Sequence, residues 1–171
     1  SPENFNLLQQ NIFLNSAQQW IFPYQLAGGD TAKKAAFYLS EHSNLNTFIP
    51  DLYRCGERQK YLSDDAVEID MVDMSSFLQD KRPVDLIRMD VEGYEVEVLQ
   101  GLQKAIETDL FNGKIVFECH FPKYDDEKHS MRRQLRMLFK NGYVPKIMTS
   151  NNEAAAPFAG KGYRPTVNIR T

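Results

Sequence analysis

The chain has 171 residues, of which 42% are hydrophobic and 25% are charged, the composition of an ordinary water-soluble globular protein. Its formal net charge of -3 at pH 7 gives no electrostatic reason to expect nucleic acid or an anionic membrane as a partner. The sequence contains neither a signal-peptide pattern nor an apolar run approaching the roughly 20 residues of a membrane helix. The two cysteines, Cys55 and Cys119, form no CxxC motif, so we expect a reducing, cytoplasmic compartment and no zinc or redox site.

The first third of the chain begins with a predicted helix. Ser1 can cap it and Pro2 suits its first position, so we expect a helix that ends near Asn15. A strand is predicted over 20–27, ending at Gly28-Gly29-Asp30, and a short edge strand over 35–39. Residues 40–62 are polar and are predicted to form a surface loop.

The middle of the chain has the clearest periodicity. Residues 67–72 alternate apolar and acidic side chains, which predicts a strand with one wet face, and residues 73–78 form a predicted helical turn. A buried strand, a turn containing two acids and a glycine, and an amphipathic helix follow from residue 84. Tyr94, Glu95 and Glu97 are predicted to lie on the exposed side of this helix or on its flank.

Strands and helices continue to alternate towards the end of the chain. A buried strand is predicted over 115–121, a helix over 128–140, and two last strands over 143–148 and 166–169. This alternation predicts a single α/β domain over 1–171, with a mainly parallel sheet that helices cover on both faces.

Four residues with chemically active side chains follow two of the predicted strands. Asp90 and Glu92 are two residues apart, as are Glu118 and His120, so each pair would point to one side of an extended segment. If the two strands are neighbours, all four groups converge on one crevice, where they could bind a divalent metal. The alternatives are structural: either acid of the first pair could cap the following helix, and Glu118 could accept bonds from loop amides.

Histidine is the natural general base at neutral pH, and His120 is the candidate for that role. The alternative is a histidine that is hydrogen-bonded in the core or at a loop mouth. His42 and His129 have polar neighbours and are predicted to be solvated. Gly28-Gly29-Asp30 is not a GxGxxG fingerprint and indicates a turn, although Asp30 could contact an adenine or a ribose beside it.

Three stretches resemble the FkbM family of S-adenosylmethionine-dependent methyltransferases. The most specific is Asp85-Leu86-Ile87-Arg88-Met89-Asp90-Val91-Glu92-Gly93-Tyr94-Glu95, continued by Val98-Leu99-Gln100-Gly101. The second is Ile115-Val116-Phe117-Glu118-Cys119-His120, which is similar to the family's strand ending in Glu-x-His. The third lies in the first helix and comprises Pro2, Asn4, Phe5, Leu8, Asn11 and Asn15.

The resemblance implies a Rossmann-like fold in which this chain is the back two-thirds of the domain. The family's glycine-rich loop and ribose-binding acid would lie upstream of Ser1, so we expect an N-terminally truncated sheet. Its uncovered apolar surface would then require another cover, and formation of a homo-oligomer or strand exchange is one way to supply it.

The resemblance also implies roles for particular residues. S-adenosylmethionine would donate a methyl group to a hydroxyl of a sugar, a polyketide or a similar small molecule. His120 and Asp90 are the expected catalytic residues. The residues expected at the cofactor are Asp30, Gly29 and Asp90. A divalent metal, by analogy with some sugar O-methyltransferases, would be bound by Asp90, Glu92 and Glu118.

Two other functions remain open at this point. The first is a non-catalytic, Rossmann-like remnant that acts in assembly. The second is a metal hydrolase that uses Asp90, Glu92 and Glu118, although this sequence lacks the further His and Asp ligands that such sites gather.

Overall fold

The computed structural model describes residues 1–42, 46–50, 62–120, 124–125 and 127–146. Its elements in chain order are α1 (Pro2–Leu14), β1 (Ala27–Gly29), β2 (Lys33–Ser40), β3 (Leu62–Asp73), α2 (Met74–Gln79), β4 (Leu86–Met89), α3 (Glu95–Glu107), β5 (Lys114–Phe117) and α4 (Met131–Lys140). The strand predicted over 143–148 is absent from 143–146, and its remainder lies outside the described residues, as does the strand predicted over 166–169.

The first helix confirms its sequence signals, whereas the strand predicted after it is mostly wrong. The Ser1 hydroxyl caps α1 by accepting a hydrogen bond from the Asn4 amide at 3.2 Å. Residues 20–26 belong to no strand. The amides of Trp20 and Ile21 donate instead to the Ala17 carbonyl in a turn. Pro23 has no amide to donate to a ladder, so pairing begins only at Ala27.

A three-stranded sheet has the order β1-β3-β2. β1 runs parallel to β3, and β2 is an edge strand, as predicted, that runs antiparallel to β3. The wet face predicted for β3 is confirmed by Lys34, whose Nζ lies 3.0 Å from Asp70 and 3.3 Å from Glu68. These exposed pairs fix the register more than they stabilise the fold.

The second sheet is the parallel pair β4–β5. One of its faces is turned towards the interior and the other is exposed. The inner face bears Ile87, Met89, Ile115 and Phe117, and the exposed face bears Leu86, Arg88, Lys114 and Val116.

The α/β class is confirmed, but the sheet differs from the prediction. The described strands form two small sheets rather than one, and the longest pairing, between β2 and β3, is antiparallel. The prediction that helices cover both faces of the sheet is also not met at β4–β5. The exposed face of this pair is uncovered within the described part of the chain.

The core is centred on α3. Val96, Leu99 and Leu102 have no exposed surface, and Phe111 just after the helix is also buried. The backbone of α3 approaches β1 so closely that a Cβ atom at Gly101 would lie 1.9 Å from the Gly29 carbonyl oxygen. This approach brings the end of β1 beside the helix that follows the two-acid turn.

The buried Ser75 hydroxyl connects α2 to the same part of α3. It donates to the Gly101 carbonyl at 2.6 Å and accepts from the Ala105 amide at 2.9 Å. The hydroxyl therefore satisfies a backbone carbonyl and also ties the start of α2 to the middle of α3.

The chain divides into two compact units, residues 1–137 and residues 138–171, and the boundary falls inside α4. The single domain expected over 1–171 stays a prediction. Among the described helices, none combines the length and the apolar character that crossing a membrane would need.

Replacing Gly101 by Ala tests the close approach of α3 to β1. In an ordinary helix this change is stabilising by up to about 1 kcal/mol. Here we expect destabilisation of about 2 kcal/mol, because the new methyl group must displace backbone. Thermal unfolding should show a Tm lower by about 4–8 °C, whereas Gln103→Ala on the exposed face should change stability by about 0.5 kcal/mol or less. An unchanged or raised Tm for Gly101→Ala would contradict the packing described here.

Candidate active site

The residues that directly follow β4 and β5 lie at one edge of the second sheet. β4 and β5 are parallel, and their last paired residues are Met89 and Phe117. Asp90 therefore leaves the sheet at the same edge as Glu118, and His120 comes two residues later. The prediction that these two strands are neighbours is confirmed. The carboxyl edge of parallel strands is where α/β proteins bind ligands.

The turn after β4 has an unusual backbone conformation. Glu92 has φ of 51° and Gly93 has φ of 100°, so both lie in the left-handed region. That region is unfavourable for Glu92, which has a Cβ atom. The strand ends at Met89, so the extended geometry that predicted a common side for Asp90 and Glu92 does not apply. The left-handed turn brings their carboxylates together instead.

Asp90, Glu92 and His120 form a cluster at this edge. One ligand atom from each residue lies within 4.8 Å of the other two. His120 Nε2 is 3.6 Å from Glu92 Oε2, and both side chains are mostly buried, with 15% and 23% of their surfaces exposed. Asp90 is more exposed and has the Arg88 guanidinium 3.4 Å from its Oδ2 atom. The cluster is open to solvent on the Asp90 side.

Glu118 lies outside this cluster. It was predicted as the third metal ligand, but its side chain is exposed and the group that could hold a metal has His120 in its place. The reason is that β5 ends at Phe117, so residues 118–120 are no longer in a strand and do not keep its two-residue alternation. Cys119, between them, is half-buried, and burial raises the pKa of its thiol, which agrees with an unreactive cysteine.

The side chain of Glu95, in the first turn of α3, connects the turn to His120. It is completely buried. Its Oε1 atom accepts from the Gly93 amide at 3.2 Å and from the Val91 amide at 3.4 Å, and it lies 2.8 Å from His120 Nδ1. The prediction that Glu95 is exposed or on the flank of its helix is therefore wrong.

Tyr124 completes the contacts of Glu95. Its hydroxyl donates to Glu95 Oε2 at 2.6 Å and accepts from the His120 amide at 3.0 Å. Burial and the hydrogen bond to Glu95 raise the pKa of Tyr124 well above its usual value, so the phenol keeps its proton. One phenol thus holds both the carboxylate and the backbone of His120.

A second buried glutamate, Glu97, lies two residues further along α3. Glu97 contacts His129, which was predicted to be solvated. Burial raises the pKa of Glu97; a backbone hydrogen bond and the contact with His129 oppose this rise, and the negative charge of Asp30 adds least to it. Burial, Glu97 and Asp30 together raise the pKa of Tyr94 to about 12. The Met71 sulfur lies against Gly29 and accepts a hydrogen bond from the Tyr94 hydroxyl at 3.7 Å, so the end of β1, and with it Asp30, lies beside Tyr94 at the start of α3.

The glycine predicted at the cofactor has a structural reason to be small. A Cβ atom at Gly29 would lie 2.5 Å from the sulfur of Met71, and its carbonyl oxygen faces Gly101. Asp30, directly after it, is half-buried and contacts Thr31 and Lys33. Asp30 and the cluster therefore both lie near the start of α3, but the cluster does not include Asp30.

One of the comparisons with known proteins identifies a family. The model of the methyltransferase FkbM domain matches residues 1–145, which is most of the chain. The chain belongs to the FkbM methyltransferase family. No curated protein and no solved structure matches it. Membership supports a methyltransferase function and agrees with a Rossmann-like α/β fold.

In this FkbM-family chain the sequence held a signal for Glu95 that the prediction did not use. Glu95 is three residues before Val98 and seven before Leu102, so it lies on the same helical stripe as these buried residues. A charged residue on an apolar stripe is buried only when it is paired, which marks it as a residue with partners to find. Tyr124 had no comparable signal, because it follows β5 in a segment without a periodic pattern.

Proposed function

We propose that this FkbM-family protein transfers a methyl group from S-adenosylmethionine to a hydroxyl of a sugar, a polyketide or a similar small molecule, with His120 as the base. The observation that supports it most is the orientation of the imidazole. Nδ1 is held by Glu95, and Nε2 faces the cluster at the carboxyl edge of β4 and β5. Family membership supports the methyl transfer itself.

The chemistry is a direct displacement. The hydroxyl oxygen of the acceptor attacks the methyl carbon, and the bond between that carbon and the sulfonium sulfur breaks, leaving S-adenosylhomocysteine. The hydroxyl proton passes to His120 Nε2. Asp90 is proposed to orient the acceptor, because it lies at the open side of the cluster and alignment of the reacting atoms is the larger part of catalysis in such a transfer.

The residues proposed at the cofactor are Gly29, Asp30 and Asp90. The sulfonium and the α-ammonium of S-adenosylmethionine are positive, and its ribose hydroxyls are donors, so carboxylates suit it. Asp30 acts electrostatically on Tyr94 and Glu97, which puts a negative charge beside the N-terminal turn of α3. Gly29 suits close packing of the backbone at this point.

The test uses the full-length protein, His120→Gln and the control His42→Gln. Calorimetric titration with S-adenosylhomocysteine should show binding to all three within about threefold. Release of S-adenosylhomocysteine, measured with a panel of monosaccharides and polyketide alcohols, should fall about 10²- to 10⁴-fold in His120→Gln alone, because a general base contributes about that factor.

Two results would count against this proposal. Full activity of His120→Gln would remove the base role while leaving methyl transfer intact. Absence of S-adenosylhomocysteine binding by the unaltered protein would overturn the cofactor itself, and would favour a non-catalytic module that acts in assembly. The exposed apolar side chains of Leu86 and Val116, 53% and 41% exposed, would then be the first surface to test for self-association.

A metal-dependent version of the same reaction is favoured by a separate observation. Asp90, Glu92 and His120 offer two carboxylate oxygens and an imidazole nitrogen within 4.8 Å of one another. This donor set fits a divalent ion such as Mn²⁺. A metal bound there would supply a Lewis acid for the acceptor hydroxyl. Nε2 has one lone pair, so His120 cannot be metal ligand and base at the same time.

Binding of Mn²⁺, followed by the loss of its free electron paramagnetic resonance signal, tests this version. We expect Asp90→Asn and Glu92→Gln each to weaken binding by about tenfold or more, because each removes one of few charged ligands. Glu118→Gln is the matched control and should bind as the unaltered protein does. Loss of binding in Glu118→Gln would instead restore the ligand set predicted from the sequence, and no binding by any form would exclude the metal.

A further inference from the structure

The acceptor role of Glu95 decides which nitrogen of His120 has a proton. Glu95 Oε1 accepts from two backbone amides, those of Val91 and Gly93, and a backbone amide can only donate. A proton on Oε1 would clash with these two amide hydrogens, so Oε1 cannot be a donor. It must therefore accept the hydrogen bond from His120 Nδ1 as well, at 2.8 Å. The neutral imidazole therefore has its proton on Nδ1 and its lone pair on Nε2.

The same carboxylate sets the direction of that lone pair. Nε2 lies on the opposite side of the ring from Nδ1, and it is 3.6 Å from Glu92 Oε2 in the cluster. Tyr124 restrains the ring further, because its hydroxyl bonds both Glu95 Oε2 and the His120 backbone amide. Ring rotation would break the bond to Glu95 and remove one of the three donors of a buried carboxylate oxygen.

We propose that Glu95 is a positioning residue that holds His120 in the Nδ1–H tautomer with Nε2 directed at Asp90 and Glu92. Buried carboxylates beside active-site imidazoles generally fix the tautomer and the ring orientation in this way. The consequence for catalysis rests on the proposed role of His120 as base, but the tautomer does not. Tyr124 belongs to the same unit, since it contacts both partners.

The first measurement needs no variant. Long-range ¹H–¹⁵N correlation spectra of protein labelled at histidine nitrogens, recorded in EDTA at a pH where the imidazoles are neutral, report the tautomer of each ring. The resonances of His120 are assigned by their loss in His120→Gln. We expect the Nδ1–H form. An Nε2–H form of His120 in the unaltered protein would overturn the proposal whatever the variants do.

Substitutions at Glu95 then separate positioning from general stability. In Glu95→Gln the amide oxygen should still face the two backbone amides, so the Nδ1–H tautomer should persist. Glu95→Ala removes the acceptor, and the ring should become a mixture of tautomers. Glu107→Gln, at the exposed far end of α3, is the matched control and should leave His120 unchanged. If Glu95→Ala does not fold, as judged by amide signal dispersion, Tyr124→Phe replaces it and should broaden the His120 signals.

Kinetics of the full-length protein test the consequence for catalysis. We expect kcat to fall about 10- to 100-fold in Glu95→Ala, the usual effect of losing such a partner, with KM changed less than threefold and substantial recovery in Glu95→Gln. A tautomer mixture with unchanged kcat would overturn the catalytic consequence. If instead the unaltered protein shows the Nδ1–H form but transfers no methyl group to any acceptor, the proposed function fails while the positioning by Glu95 stands.

Discussion

Burying the Glu95 carboxylate at the start of α3 costs free energy that its hydrogen bonds must offset. Its partners come from three parts of the chain: the amides of the turn after β4, the imidazole after β5, and the phenol of Tyr124. The backbone amides on either side of the left-handed Glu92, those of Val91 and Gly93, donate to Glu95, and His120 contacts Glu95 through Nδ1. The candidate site depends on this carboxylate more than on any of the residues that would face a substrate.

The parts of the fold and site that could be predicted from sequence are those with local signals. The Ser1 cap, the alternating acids of β3 and the stripe of α3 each correspond to an observed element. The carboxyl ends of β4 and β5 were expected to meet, and they do. Asp90, Glu92 and His120 come together because two parallel neighbouring strands end at the same edge of their sheet. The FkbM resemblance came from the same segments, and the family match supports it.

The features of the fold and site that were not predicted depend mainly on where the strands end, and periodicity does not define strand ends. β4 and β5 end at Met89 and Phe117, so the two-residue rule failed beyond them and placed Glu118 in the cluster. The antiparallel pairing of β2 with β3 depends on a long-range choice that no local pattern specifies. Glu95 is predicted on the exposed side or flank of α3, although its spacing from Val98 and Leu102 indicates the buried side, where the structure has it.

The most direct test of the central claim is to map where S-adenosylhomocysteine binds on the full-length protein by amide chemical-shift changes. The account predicts the largest changes in the turn of residues 90–93, at Asp30 and at His120, all near the start of α3 or at the end of β4 and β5. Changes confined to other parts of the chain, with these residues unaffected, would contradict it.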